Sequence, residues 1–260
     1  MRILFVAPMN SVHSARWLGH FARAGHDVHV LDSAFEGSRV DAPGVTVHQA
    51  PLTGGRIPLV KYVTRFPRWI ADLRALTKRV APDVIHIHWI GLHALGVAMT
   101  GFHPMIVTPW GSDLLVIPKG SVKRRYILGR VLAAADCFVC DAEHVKRALI
   151  ERGLAEESIR LIYFGTDVDK FHPDRLDRGL AGELGFPPES PLVISMRSLE
   201  SIYDVATFIK SIPLVADRCP EARFIVVGDG PERSQLETLS KSLRVESLVR
   251  FVGRLSDVDM

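Results

Sequence analysis

Residues 1–31 read MRILFVAPMNSVHSARWLGHFARAGHDVHVL, and their pattern decides the fold. Ile3 to Ala7 is an unbroken apolar run, as in a strand buried on both faces of a parallel sheet. Pro8 stops it, and Asn10 and Ser11 suit a turn followed by a helix N-cap. Ala15, Leu18, Phe21 and Ala22 then recur at helical spacing, so the next segment is a helix with one apolar face. Gly25 suits its C-terminus, and Val28, Val30 and Leu31 begin a second strand. This is a βαβ unit, whose crossover is expected to be right-handed. Ligands of open parallel sheets bind beyond the carboxyl ends of the strands. The expected crevice is therefore floored by Pro8 to Ser14.

The alternation continues. Val45–Ala50 is expected as a short edge strand, and residues 58–80 as a helix interrupted or restarted near Pro67. Strands are expected over Val84–His88, Met105–Thr108, Asp136–Asp141 and Ser158–Tyr163, with helices over 91–100, 119–134 and 142–152 between them. Seven strands alternating with helices make a doubly wound α/β domain, placed at residues 1–172. Residues 173–190 are rich in glycine, proline and charge, and read as a linker. Strands at 192–195, 222–227 and 248–252 and helices at 203–216 and 232–243 then open a second domain, 191–260. An α/β domain usually needs ~100 residues or more, so this second domain is expected to be incomplete.

Composition fits a soluble globular protein, with 47% hydrophobic and 23% charged residues. The net charge of +3 is uneven. Residues 1–175 carry 22 Lys/Arg against 16 Asp/Glu, a net +6, and residues 176–260 carry 10 against 13, a net −3. A basic front half fits an anionic ligand or an anionic membrane surface, and equally ordinary solvated charge. The basic stretches Lys61–Arg79 and Lys119–Arg130 would be the membrane-facing ones. Cys137 and Cys140 form a C-x-x-C within an expected strand, where residues three apart point to opposite faces. They read as reduced core cysteines rather than a metal pair. There is no signal-peptide pattern at the start and no apolar run approaching the ~20 residues of a membrane span, so the expected location is the cytoplasm.

Four stretches fall at expected strand C-termini. Asn10 to Ser14 places His13 just inside a helix N-terminus, where backbone N–H groups favour an anion. His86 and His88 share one face of their strand, but no neighbouring carboxylate or cysteine completes a metal site, and none is expected. In Thr108–Asp113, TPWGSD, Gly111 allows close backbone approach, and Asp113 either takes a sugar hydroxyl, orients a catalytic group or caps the turn. Val227–Pro231, VGDGP, precedes a helix but fails the dinucleotide fingerprint: Arg233 stands where the third glycine belongs, and no acidic residue lies about twenty positions on. Neither a P-loop nor a G-x-S-x-G occurs.

In order and spacing, several stretches together resemble the GT-B glycosyltransferases, specifically the family-4-like retaining enzymes. They are MRILFVAP with GHDVHVL, DVIHIHW, VTPWGSD, LIYFGTDVDKFHP, ISMRSLESIYDVATFI, EARFIVVGDGPERSQLE and VRFVGRLS. The resemblance implies two Rossmann-like domains facing each other across a cleft. The first would bind a sugar, lipid-linked or small-molecule acceptor and the second a nucleotide-sugar donor, with retention of anomeric configuration and no cofactor, bound metal or nucleic acid. Catalytic roles would fall to His13 and Asp113. Asn10, Ser11, Ser14, Trp110 and Gly111 would form the acceptor and phosphate loops, and Arg197, Gly228, Asp229 and Gly230 would bind the donor.

The match is partial. Asn10–Ser14 lacks the family's paired glycines, Trp110 stands where a histidine is common, Tyr203 where a lysine is expected and Asp204 where a glycine follows it. The E-x7-E donor segment has no counterpart, so this 260-residue chain is expected to lack turnover by itself. Two other readings stand beside this one. One is a sugar-nucleotide epimerase of the same architecture. The other is a degenerate member that only binds a ligand or partner, favoured by Tyr203 and Trp110.

Overall fold

A computed structural model describes residues 1–33, 41–49, 59–116, 120–169, 171, 172, 174 and 179–255, with backbone only for 59–65. Its contacts divide the chain into two compact units, Met1–Gly165 and Thr166–Met260.

Seven strands build the first unit's sheet: β1 (Arg2–Ala7), β2 (Asp27–Asp32), β3 (Val45–Gln49), β4 (Val84–His88), β5 (Met105–Thr108), β6 (Cys137–Cys140) and β7 (Ile159–Leu161). All pair in parallel, in the order β3-β2-β1-β4-β5-β6-β7. Phe5 lies in register between Val30 and His86. The order reverses between β1 and β4, so the switch-point crevice opens past Ala7 and His88.

From Ile3 onward β1 is apolar because it feeds two cores. Leu4 and Val6 face a cluster with Leu31, Ile85, Ile87, Trp69 and Leu73. Ile3, Phe5 and Ala7 face Leu18, Val28 and Val30 on the other side. That is period-two alternation with both faces dry. Helix α1 (Val12–Arg23) ends as its sequence suggests. Gly25 takes φ +82°, its N–H reaches Ala22 O, and the His26 N–H reaches Phe21 O, a Schellman pair.

Helix α2 (Leu59–Val80) corrects one expectation, because it runs through Pro67 without interruption. An interior proline costs roughly 3 kcal/mol. Trp69, Leu73, Leu76 and Val80 are all buried on its following turns, and each such burial returns roughly 1.5–3 kcal/mol. Packing therefore outweighs the lost hydrogen bond. Helices α3 (Leu92–Ala98), α4 (Ser112–Leu115), α5 (Val122–Ala134) and α6 (Glu143–Ile150) complete the unit. Cys137, Cys140 and Cys219 are free thiols.

The second unit holds α7 (Leu180–Glu183), β8 (Leu192–Met196), α8 (Val205–Ala216), β9 (Arg223–Val227), α9 (Arg233–Ser242) and β10 (Val249–Gly253). Its strands are parallel in the order β10-β9-β8. Phe224 and Val226 of the central strand pack with Ile209, Ile212 and Leu236, while Ile225 and Val227 pack with Ala181 and Phe186. The stretch expected as a linker to residue 190 therefore differs from Leu180 onward: Ala181 and Phe186 are core residues of this unit. The glycines and prolines that suggested a linker flank a short helix, and Gly185 turns out of it at φ +71°. The division falls at Gly165, earlier than residue 172. The expected strand end at Ala50 lies outside the described residues. No helix among the described residues is long and apolar enough to cross a membrane.

Candidate functional site

In the first unit, the loops after β1, β4 and β5 meet at one rim. Ser11 caps α1, its hydroxyl accepting the His13 N–H at 3.2 Å. The His13 ring stacks on Phe164 at 4.6 Å between centroids and meets the edge of Trp110 at 5.9 Å. Trp110 in turn lies 6.0 Å from the His88 ring. His88 and His86 both contact Phe5 and Trp17, as residues two apart on one strand face must. His86 Nε2 is 2.7 Å from the Thr108 hydroxyl.

Burial sets the charge of this cluster. It pushes His86 down to about 3 and holds His88 well below the usual histidine range, with His86 and His13 adding to the effect at His88. His13 is also lowered, first by burial and then by Arg16, with Asp141 opposing. The imidazoles are therefore neutral at neutral pH. His13 Nδ1, the Ser14 hydroxyl and both His88 ring nitrogens are buried without a hydrogen-bond partner among the described residues. No three His, Cys, Asp or Glu residues among the described ones cluster as a metal site would require.

Asp113 is 3% exposed, and its position decides what it does. One carboxylate oxygen accepts the Ile90 N–H at 2.6 Å and the other the Trp110 N–H at 2.9 Å. Burial nevertheless pushes this carboxyl up to about 6 against those bonds. Its geometry is that of a staple between two loops. Gly111 takes φ +91°, a left-handed turn open to glycine, and Trp89 takes φ +71°, a strained value for its residue type. Asn10 is exposed at the loop tip.

Three contributors were not foreseen. Phe164 comes from the end of the unit to face His13, and Asp32 at the end of β2 accepts the Met9 N–H at 3.1 Å. Ser121, Lys123 and Arg124 at the start of α5 line a cavity shared with His88, His93 and Asp113. Asp32 carried a usable signal, an acid at a strand C-terminus, whereas nothing local in the sequence links α5 to β4.

In the second unit, Arg197 follows β8 and lies exposed, its guanidinium 5.7 Å from the centre of the Tyr203 ring. Gly228 takes φ +126°. A Cβ there would strike the Arg197 carbonyl oxygen, and one on Gly230 would strike Leu199 O. The two glycines thus admit the chain's own backbone. Leu199 N–H bonds Asp229 O and Glu232 N–H bonds Leu199 O, closing the turn. Asp229 and Gly230 border an open cavity of about 620 Å³ with Ser198, Glu200 and Arg254. Asp204, in place of the family's glycine, still adopts a left-handed conformation, φ 45° and ψ 47°. Its carboxylate accepts the Thr207 hydroxyl at 2.7 Å.

Comparison with known proteins places this arrangement. The chain is 29% identical over 183 residues to the sulfoquinovosyl transferase SQD2 of Arabidopsis thaliana, covering 66% of this chain and 34% of that one. It is 22% identical over 244 residues to the N-acetyl-alpha-D-glucosaminyl L-malate synthase of Bacillus anthracis, covering 91% of this chain and 62% of that one. It therefore spans between a third and two thirds of the length of these relatives. The Anabaena protein HepE in complex with UDP shares its fold, with a TM-score of 0.71 at 18% identity over 100% of this chain and 71% of that one. The model of the family "glycosyl transferases group 1" matches residues 180–260. The "glycosyl transferase 4-like" model matches residues 2–142, more than half the sequence, and the chain belongs to that family of GT-B proteins.

Proposed function

We propose that this protein acts as a glycosyltransferase that moves a sugar from a nucleotide-sugar donor to an acceptor hydroxyl with retention of configuration. The observation that carries this reading is the pairing of Arg197 with the Gly228–Gly230 turn at the C-terminal ends of two adjacent parallel strands, in a segment matching glycosyl transferases group 1. Arg197, exposed beside this turn, would neutralise a diphosphate, the charge that grows on the leaving group. The names of the relatives, and UDP in the HepE complex, support a nucleotide-sugar as donor class. The first unit would take the acceptor. There His13, neutral and at a helix N-terminus, offers an imidazole nitrogen to the reacting hydroxyl, and the Asp113 staple fixes the two loops around it. No metal or cofactor enters this proposal. Location in the cytoplasm belongs to the same reading. So does peripheral contact with an anionic membrane through the exposed face of α5, where Val122 and Tyr126 lie among Lys123, Arg124, Arg125 and Arg130. Flotation with anionic against neutral vesicles tests that contact.

The central test incubates the chain, and its longer parent if one exists, with radiolabelled nucleotide-sugars with and without candidate acceptors. Transfer only in the presence of acceptor, with the product anomer matching the donor, supports the proposal. An epimerised donor without acceptor would establish an epimerase. UDP binding without any turnover by the parent would establish a ligand-binding protein.

A further inference from the structure

A cluster of titratable groups lies away from the rim, where β2 meets the edge strand β3. In register, Thr46 stands beside His29 and His48 beside Leu31, so both imidazoles share the sheet face packed by α2. Their rings stack at 5.2 Å between centroids, with His29 Nδ1 3.0 Å from His48 Nε2. His29 Nε2 lies 3.2 Å from Asp27 Oδ1, and Arg2 Nε donates to the other oxygen of Asp27 at 2.6 Å. The Arg2 hydrogen bond holds the Asp27 carboxyl below the usual carboxylate range, so Asp27 only accepts.

These contacts fix the protons. His29 Nε2 carries a hydrogen for Asp27, so Nδ1 of the neutral ring is a lone pair and His48 Nε2–H donates to it. One added proton is tolerated, because a single N–H still stands between the rings. With a second, both facing nitrogens are donors and neither accepts, and two cations lie at stacking distance. Burial, then His29, then Arg79 of α2 hold His48 below the usual histidine range, so the paired strand takes up that proton less readily than a released one. Asp72 of α2 borders the same cavity as His48 and Arg79. β3 has little else to hold it. It ends the sheet, pairing with β2 alone among the described residues. Thr46, Val47 and Gln49 are exposed, while Val45 packs partly against the core on the opposite face.

We infer that Asp27, His29 and His48 form a proton-gated latch, which fastens β3 to β2 while the two rings hold at most one added proton and releases it when both are cationic. Acid then uncovers the hydrogen-bonding edge of β2. The latch belongs to the first unit and does not depend on the proposed transfer activity.

Hydrogen exchange of the full chain, followed by mass spectrometry and normalised to intrinsic rates at each pH, reads the release. Amides of Val45–Gln49 should lose at least about tenfold of their protection between about pH 7 and pH 5, and should stay less protected than those of Ile3–Ala7 at both. His48→Gln keeps an amide N–H for His29 Nδ1 but cannot charge. Its β3 protection should match the wild type at about pH 7 and change less than about threefold down to pH 5. His144→Gln, at an exposed position on α6, should retain the wild-type fall. Nitrogen-15 spectra of the wild-type histidines at about pH 7.5 give a second readout that needs no variant, and should show His29 and His48 both as the Nε2–H tautomer. Constant β3 protection over this interval, equal protection of β1 and β3, a fall in His48→Gln as steep as the wild type's, or an Nδ1–H tautomer on His48 would overturn the inference.

Discussion

Asp113 accepts the backbone N–H of Ile90 at 2.6 Å, tying the loop after β4 to the loop after β5 across 23 residues of sequence. Its second oxygen takes the Trp110 N–H, so the carboxylate is spent on backbone. Asp113→Asn retains one acceptor oxygen but turns an amide N–H toward the other donor. It should cost about 1–3 kcal/mol of stability. The pH dependence gives a sharper test. Burial raises the folded carboxyl from 3.8 to about 6, so the folded state holds the proton more tightly than the unfolded chain. That contribution is complete below pH 3.8 and is lost as pH rises through about 6. The stability gap between wild type and Asp113→Asn should therefore shrink from about pH 4 to about pH 6.5 in urea unfolding and be flat above that. A gap that widens would mean that the two N–H bonds outweigh burial.

The buried histidines act in the opposite sense. His86 and His93 are pushed from 6.5 to about 3 and about 4, both chiefly by burial, and His88 is also lowered. The unfolded chain binds protons first, so their contribution is complete above pH 6.5 and fades as pH falls toward the folded values. Each should remove about 1.4 kcal/mol of stability per pH unit below that point. Three such groups outnumber Asp113, and the first unit should lose thermal stability between about pH 7 and pH 5. His86→Gln keeps a polar partner for Thr108 but cannot charge, so its melting temperature should fall less steeply over the same interval. An unchanged slope would show that His86 does not titrate with unfolding.

The sheet of the first unit was legible because its inner strands are dry on both faces and therefore read as unbroken apolar runs. Ile3–Ala7 is such a run, and Val84–His88 departs from it only at His86 and His88, two buried polar residues on one face. Pro67 misled because propensity is local, whereas the burial of Trp69 and Leu73 that overrides it is tertiary. At the site, Ser11, His13 and Asp113 were readable as strand-end residues. The staple to Ile90 was not, since a backbone N–H leaves no mark in sequence. Gly228 and Gly230 show the same limit in another form. A ligand and a neighbouring backbone both demand the absence of a Cβ, and only coordinates showed that Arg197 and Leu199 fill that space.

That finding makes Gly228 a stability position. An added Cβ would meet the Arg197 carbonyl, and φ +126° is itself closed to other residues. Gly228→Ala should cost at least about 2 kcal/mol. The loss can be located, because Trp17, Trp69, Trp89 and Trp110 all lie in the first unit. Circular dichroism should show an early urea transition in the variant, while tryptophan emission keeps its wild-type midpoint. Coincident early transitions by both probes, or no shift in either, would contradict a clash confined to the second unit.

Arg197 and Tyr203 supply the last test, directed at the donor. The Arg197 guanidinium lies over the Tyr203 ring, where the family resemblance places a second cation. The aromatic ring holds the arginine but adds no charge toward a diphosphate. Arg197→Gln should weaken UDP binding about tenfold, the scale of one charge-assisted contact of about 1.4 kcal/mol. Tyr203→Phe keeps the ring and should bind UDP as the parent does. Tyr203→Lys adds the missing cation at an exposed position, and should tighten UDP binding several-fold at low salt and less at high salt. Calorimetric titration of the three variants at two ionic strengths reads all of these changes. If Arg197→Gln binds UDP as tightly as the parent, the anion does not sit at this turn, and the donor assignment of Arg197 falls with it.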